Sequence, residues 1–242
     1  MNKELEVCLT PDLIELYDLK GKVVVIVDIL RATSSITTGI AHGVKSIKPV
    51  STLAECKDYQ NQGYVAAAER GGLKVDGFDL GNSPFGFMAE NLEGVDIAMT
   101  TTNGTTAISK SIEARQIIIG SFLNLNPVIN YLKKQPYDIL IHCAGWKGKI
   151  NMEDSLFAGA VVHALSDYCT IISDAPKIVQ ALYLQGKDDL MSFLKSSSHV
   201  NRLIKLGLEK DIEFCLQKDI YKLIPVLKES HIVKMSLNDM LV

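Results

Sequence analysis

The run Val23-Val-Val-Ile-Val27 constrains the fold more than any other part of the chain. Five consecutive β-branched residues leave no polar face, so the strand they form must be covered on both sides. Strands of that kind belong to parallel sheets sandwiched between helices. The run stops at Asp28, and Ile-Leu-Arg-Ala-Thr-Ser-Ser leads into a stretch of helical character reaching about Ala41. Gly43 breaks that stretch, and residues 47–50 read as a second strand. Ser51 then suits an N-cap, with Glu55 favouring the first turns of a helix through Gln62.

The order then returns. Residues 95–100 read as a strand, Thr101-Thr-Asn-Gly-Thr-Thr106 as a polar turn, 107–114 as a short helix and 116–119 as a strand, and Ser121 precedes a helix over 126–134. A further strand over 138–143 leads through Ala-Gly-Trp-Lys-Gly to a helix over 152–165. This alternation implies an α/β fold, three-layer α/β/α on a largely parallel or mixed sheet. The repetition fits an internal duplication of βα units, 20–90 and 91–166, and equally the general likeness of all such units. Residues 167–242 read as a helical covering segment of one domain spanning 1–242, with apolar residues at helical spacing in 188–195, 201–206 and 210–215. Residues 64–84, dense in glycine and charge and ending at Pro84, suit neither a helix nor a buried strand. We expect a long irregular loop there, and such loops are usually functional.

Bulk properties exclude several classes of function. The 242 residues are 47% hydrophobic and 22% charged, as in ordinary globular proteins, and the net charge of −3 argues against a protein that coats nucleic acid. No apolar run approaches the ~20 residues that span a bilayer. Five dispersed cysteines without a Cys-x-x-Cys pair, and an N-terminus without a signal-peptide core, point to reduced thiols in the cytoplasm. Neither nucleic acid nor membrane is expected as a partner, and homo-oligomer formation stays open.

In an open parallel sheet, ligands bind beyond the carboxyl ends of the strands. Asp28 ends the most buried strand, and a carboxylate there suits a hard cation such as Mg2+, although an isolated Asp more often serves a loop or cap. Arg31, Thr33, Ser34 and Ser35 add a guanidinium fork and hydroxyls at a helix start, a suitable cradle for a metal-bound phosphate. In the second polar turn, Gly104 allows a sharp bend and exposes amides beside Thr102, Asn103 and Thr105. The turn lacks the Lys-Ser/Thr ending of a nucleotide-binding loop. Glu69, Arg70 and Asp79 lie in the glycine-rich segment, as solvated charges or as ligands to something the backbone approaches closely. Glu153 and Asp154 open a helix, where acids also oppose the dipole. His199 follows three serines as a phosphate ligand or general acid, roles that a lone histidine usually lacks.

Together, Asp28-Ile-Leu-Arg-Ala-Thr33, Glu69-Arg-Gly-Gly72, Gly77-Phe-Asp-Leu-Gly-Asn-Ser-Pro84, Thr101-Thr-Asn-Gly-Thr105, Cys143-Ala-Gly145 with Glu153-Asp154, and Ser197-Ser-His199 resemble the 2-phosphosulfolactate phosphatase family, from about residue 20 to about 230. The resemblance implies an α/β fold, Mg2+ dependence and hydrolysis of 2-phospho-3-sulfolactate to sulfolactate and phosphate, a step of coenzyme M biosynthesis in methanogens. It implies catalytic roles for Asp28, Arg31, Arg70 and His199. Thr33, Asn82, Ser83, Thr102, Asn103, Gly104, Thr105 and Ser198 would bind substrate, and the metal ligands would come from Asp28, Glu69, Asp79, Glu153 and Asp154. Val200-Asn201 departs from a Gly-Arg-like pair in the family, and Phe85-Gly86 from an acidic residue after the proline. Both departures bear on the substrate more than on the reaction. A phosphatase for another phosphorylated hydroxy acid and a non-catalytic anion-binding module are the alternatives.

Overall fold

The computed structural model describes residues 3–236. In chain order the first part contains β1 (Leu5–Cys8), β2 (Val23–Val27), α1 (Ala32–Ala41), β3 (Ser46–Pro49), α2 (Leu53–Asn61), β4 (Val65–Arg70) and β5 (Leu73–Lys74). Next come β6 (Asp96–Thr100), α3 (Gly104–Lys110), β7 (Gln116–Gly120), α4 (Leu125–Lys134), β8 (Ile139–Cys143) and α5 (Met152–Leu165). The remainder contains α6 (Asp174–Gly186), α7 (Leu190–Phe193), α8 (Ser198–Lys205), α9 (Glu209–Cys215), β9 (Pro225–Lys228) and β10 (His231–Lys234).

The strands form one mixed, mostly parallel sheet in the order β1-β8-β2-β7-β9-β10-β3-β6-β4-β5. It holds two parallel groups. In the first, β2 lies between β7 and β8, with Val25 opposite both Ile118 and Ile141. In the second, β6 lies between β3 and β4, with Ile97 opposite Ile47 and Val65. The β9–β10 hairpin joins them, pairing Val226 with Ile118 on one side and Ile232 with Ile47 on the other, both antiparallel. Three antiparallel steps in succession reverse the second group relative to the first.

Every side chain of β2 is buried, as its lack of a polar face requires. Val23, Val25 and Val27 pack with Phe157 and Val161 of α5 and Val128 of α4 on one face. On the other face Val24 and Ile26 share a core with Ile97 and Met99 of β6, Ile36 and Ile40 of α1, and Ala107 and Ile108 of α3. Each such side chain contributes roughly 1.5–3 kcal/mol of burial before entropy is counted. One core thus contains strands from both parallel groups, and the sheet coils around α1 and α3. The outer face of the second group is covered by α2, whose Cys56 packs with Ala66 and Ala98.

The structure corrects several expectations. Residues 65–70 form a strand within the segment read as a loop, and Ala66, Ala67 and Ala68 in it are buried. The small side chains admit α2 closely, with Cys56 Sγ 3.6 Å from Ala67 O, but alanine carries little strand signal. The segment from 167 is not wholly helical, because β9 and β10 complete the sheet; residues 237–242 of the expected covering segment lie outside the described residues. The cap of α2 is Thr52, accepting from Glu55 N at 3.0 Å, while Ser51 N donates to Glu55 Oε2. All five cysteines are buried and free.

Candidate active site

The carboxyl ends of β2 and β8 meet those of β4 and β6 at one cleft. In a flat sheet these ends would lie at opposite edges, because the two groups run in opposite senses. Coiling around α1 and α3 brings them together.

Asp28 leaves β2 and lines the cleft while only 5% exposed. The Thr33 hydroxyl accepts from Asp28 N (3.1 Å) and donates to Asp28 O (2.9 Å), so Thr33 stitches the turn. Burial pushes the Asp28 carboxyl up to about 6; His199 and the Ala32 N–H oppose this, and Glu69 and Glu153 add to it. Gly104 allows α3 to start against the start of α1. A Cβ there would lie 2.5 Å from Ala32 Cβ and 2.8 Å from Asp28 Oδ2.

Glu69, next to last in β4, accepts from Gly72 N and from the Thr102 N–H and hydroxyl, the latter two at 3.3 Å. Thr102, Asn103 and Asn82 line the same cleft. Thr105 instead trades hydrogen bonds with Thr101, donating through N at 3.2 Å and accepting from Thr101 N at 3.3 Å. Arg31 lines the cleft, but its guanidinium pairs with Asp211 of α9 and donates to Gly72 O at 2.6 Å. Ser83 donates to the other oxygen of Asp211 at 3.0 Å. Arg70 folds back on Glu69 O (2.6 Å) and Thr100 Oγ1 (3.1 Å), and is not part of the cleft wall. Asp79 is exposed and secures the Ala66 N–H at 2.8 Å, so it does not join Asp28 and Glu69.

Asp154 and Glu153, adjacent at the start of α5, do different things. Asp154 accepts from Ile29 N (2.9 Å), Gly145 N (3.1 Å) and Asn151 Nδ2 (3.0 Å), tying the ends of β2 and β8 together. Burial, then the nearby Asp28 and Glu153 charges, push its carboxyl well above the usual range, against those donors. Glu153 is fully buried, and its Oε1 is hydrogen-bonded to His199 Nδ1. A carboxylate acceptor places the proton on Nδ1, leaving Nε2 for the cleft, where no described residue bonds it. His199 stacks on Trp146, centroids 5.4 Å apart and 18° from parallel. Ser197, not Ser198, faces this group, donating to Glu153 Oε2 at 3.4 Å; Ser198 is exposed.

The structure therefore gathers Asp28, Arg31, Glu69, Asn82, Thr102, Asn103 and His199 on one cleft wall. Thr33, Ser83, Glu153 and Asp154 act behind that wall. Sequence reasoning gave no site role to Trp146, Lys147 and Arg202, which also line the cleft, or to Asp211 behind Arg31. The Ala-Gly-Trp-Lys-Gly loop after a buried strand was the available signal for the first two. Nothing in the spacing links Glu153 to His199 or Arg31 to Asp211.

Among the described residues, no group of three or more His, Cys, Asp or Glu side chains is disposed to hold a metal ion. Mg2+ does not need one, since it binds through one or two carboxylates and keeps several waters. Asp28 fits that role: its side chain is a buried carboxylate on the cleft wall without a cationic hydrogen-bond partner among the described residues. Glu69 on the same wall is a second oxygen donor.

Comparison with known proteins gives a consistent result. Residues 8–230 match the family model described as 2-phosphosulpholactate phosphatase. A Thermotoga maritima protein named "Probable 2-phosphosulfolactate phosphatase" is 41% identical over 203 residues, covering 84% of this chain and 88% of the relative. Relatives of the same name from Caldanaerobacter subterraneus subsp. tengcongensis and Clostridium acetobutylicum are 40% and 36% identical. They are covered over 90% and 96% of their lengths, with 87% and 92% of this chain.

Proposed function

The chain belongs to the 2-phosphosulfolactate phosphatase family, and on that premise we propose that it is a phosphoric monoester hydrolase converting 2-phospho-3-sulfolactate to 3-sulfolactate and phosphate with Mg2+. The observation carrying this reading is the meeting of Asp28 with an imidazole held by Glu153 in one cleft. Asp28 and Glu69 would hold Mg2+, which supplies charge stabilisation for the phosphoryl oxygens. The Glu153 carboxylate keeps the proton on His199 Nδ1 and stabilises the imidazolium, so that Nε2–H can protonate the departing ester oxygen as the P–O bond breaks. Water supplies the oxygen that joins phosphorus. Asn103 and Thr102 line the wall where the phosphoryl group would lie, and Asp211 fixes the Arg31 fork beside them. A role in supplying sulfonates of the coenzyme M type follows from that product.

The test is phosphate release from 2-phosphosulfolactate with Mg2+ and with EDTA. Wild type should be active only with the metal, and Asp28→Asn inactive while folded. Removing the imidazole in His199→Gln should lower kcat by about 10²-fold or more, the size of a general acid's contribution. EDTA-insensitive turnover, or full activity in Asp28→Asn, would defeat the assignment.

A further inference from the structure

Charge on the cleft wall is compensated unevenly. Arg31 is paired with Asp211, and His199 with Glu153. Lys147 and Arg202 line the same cleft, and no carboxylate among the described residues pairs with either. Both cations gather at one side chain: Lys147 Nζ lies 5.5 Å and Arg202 Cζ 5.7 Å from the centroid of the Trp146 ring. That ring stacks in turn on His199. Among the described residues the Arg202 guanidinium makes one hydrogen bond, Nη2 donating to Gly71 O at 2.6 Å, which leaves most of its fork unspent. Lys147 is exposed with φ +50°, and its N–H is held by Asn103 Oδ1 at 3.2 Å, so the backbone fixes where the side chain leaves the loop.

Two cations without counter-charges, held against an aromatic ring beside the proposed proton donor, form a receptor for an oxyanion. Asp28 and Glu69 account for the metal and the phosphoryl group, leaving this pair for the rest of the ester. We propose that Arg202 and Lys147 form the specificity subsite for the substrate's second, non-reacting oxyanion. This rests on the phosphatase reading above. The selected substrate class is a phosphate monoester bearing a carboxylate or sulfonate close to the ester carbon. Plain alkyl phosphates leave the pair unused.

The experiment compares wild type, Arg202→Gln and Lys147→Asn on four esters with Mg2+ present; Asn tolerates the left-handed backbone at 147. The esters are 2-phosphosulfolactate, 2-phospholactate with carboxylate alone, the phosphate ester of 2-hydroxyethanesulfonate with sulfonate alone, and ethyl phosphate with neither. Arg202→Gln should raise KM for the esters that bear a carboxylate or sulfonate by about ten- to a hundredfold, the cost of a charge-assisted hydrogen bond, with kcat changed little. Lys147→Asn should act in the same direction and less strongly. Ethyl phosphate kinetics should be unchanged by either. A KM effect confined to the sulfonate-bearing or to the carboxylate-bearing esters identifies the bound group. Unchanged KM for every ester, or an equal loss on ethyl phosphate, overturns the subsite. Wild type inactive on all four overturns the phosphatase reading instead.

Discussion

Gly104 is the residue on which the cleft's geometry turns most directly. Its missing Cβ is what lets two helices begin within reach of one carboxylate. In Gly104→Ala the new methyl meets Ala32 and Asp28 together, and relieving it must move the carboxyl. We expect a stability loss of about 1–3 kcal/mol, as for overpacking generally, and a fall of at least about tenfold in kcat/KM. Gly39→Ala is the control, since its Cβ would meet Phe87 Cδ1 at 2.9 Å away from the cleft. It should lose stability and keep its kcat/KM; equal activity loss in both variants would deny Gly104 its special place. Legibility in the sequence divides along the same line. Asp28 announces itself as the polar residue ending a five-residue β-branched run, and Gly104 as the bend in a polar turn. The Glu153–His199 pair, 46 residues apart, leaves no local trace, because its contact is made by the packing of α8 on α5. Arg31 shows the same limit from the other side. Its type and place suited an anion, but an acid 180 residues away already occupies part of its fork.

Among the elements, the alternating βα units were readable because β2, β6, β7 and β8 each contain at least three consecutive apolar residues. The helix over Met152–Leu165 was delimited as it stands. The strands that escaped are those whose burial is not written in their composition. β4 is largely alanine, β5 has two residues, and β1, β9 and β10 are four residues each with charged residues in or beside them. Yet the β9–β10 hairpin joins the two parallel groups, and its contact with β3 rests on Ile232 opposite Ile47. Ile232 is fully buried in the core that α1 and α3 share. Ile232→Ala should cost about 2–4 kcal/mol, read as a lower urea midpoint. It should also lower activity near the midpoint in parallel with unfolding, since the cleft draws on both groups. A change within 0.5 kcal/mol, the usual range of surface substitutions, would show that the hairpin is an ornament.

For the whole molecule, acid stability follows from a histidine that does not line the cleft. His142 lies on β8, fully buried, with Ser111 Oγ at 2.8 Å from Nδ1 and no partner for Nε2 among the described residues. Burial holds its pKa down to about 4, against an ordinary 6.5. The unfolded chain therefore takes the proton first as pH falls. This contribution to stability is complete above about 6.5 and is lost progressively towards 4, by about 3 kcal/mol. Urea unfolding at pH 7.5 and 4.5 should show a smaller acid loss for His142→Gln than for wild type; identical losses would place the acid sensitivity elsewhere. The chain order has a consequence for synthesis as well. β3 and β7 are made early, but the strands that pair with their free edges arrive only with residues 225–234. A growing chain therefore carries two half-sheets with open edges until residues 225–234 have been made, and such edges invite pairing with neighbouring chains. Shortened products ending before Pro225 would keep those edges open permanently. They should precipitate even though every helix beneath the cleft is already encoded.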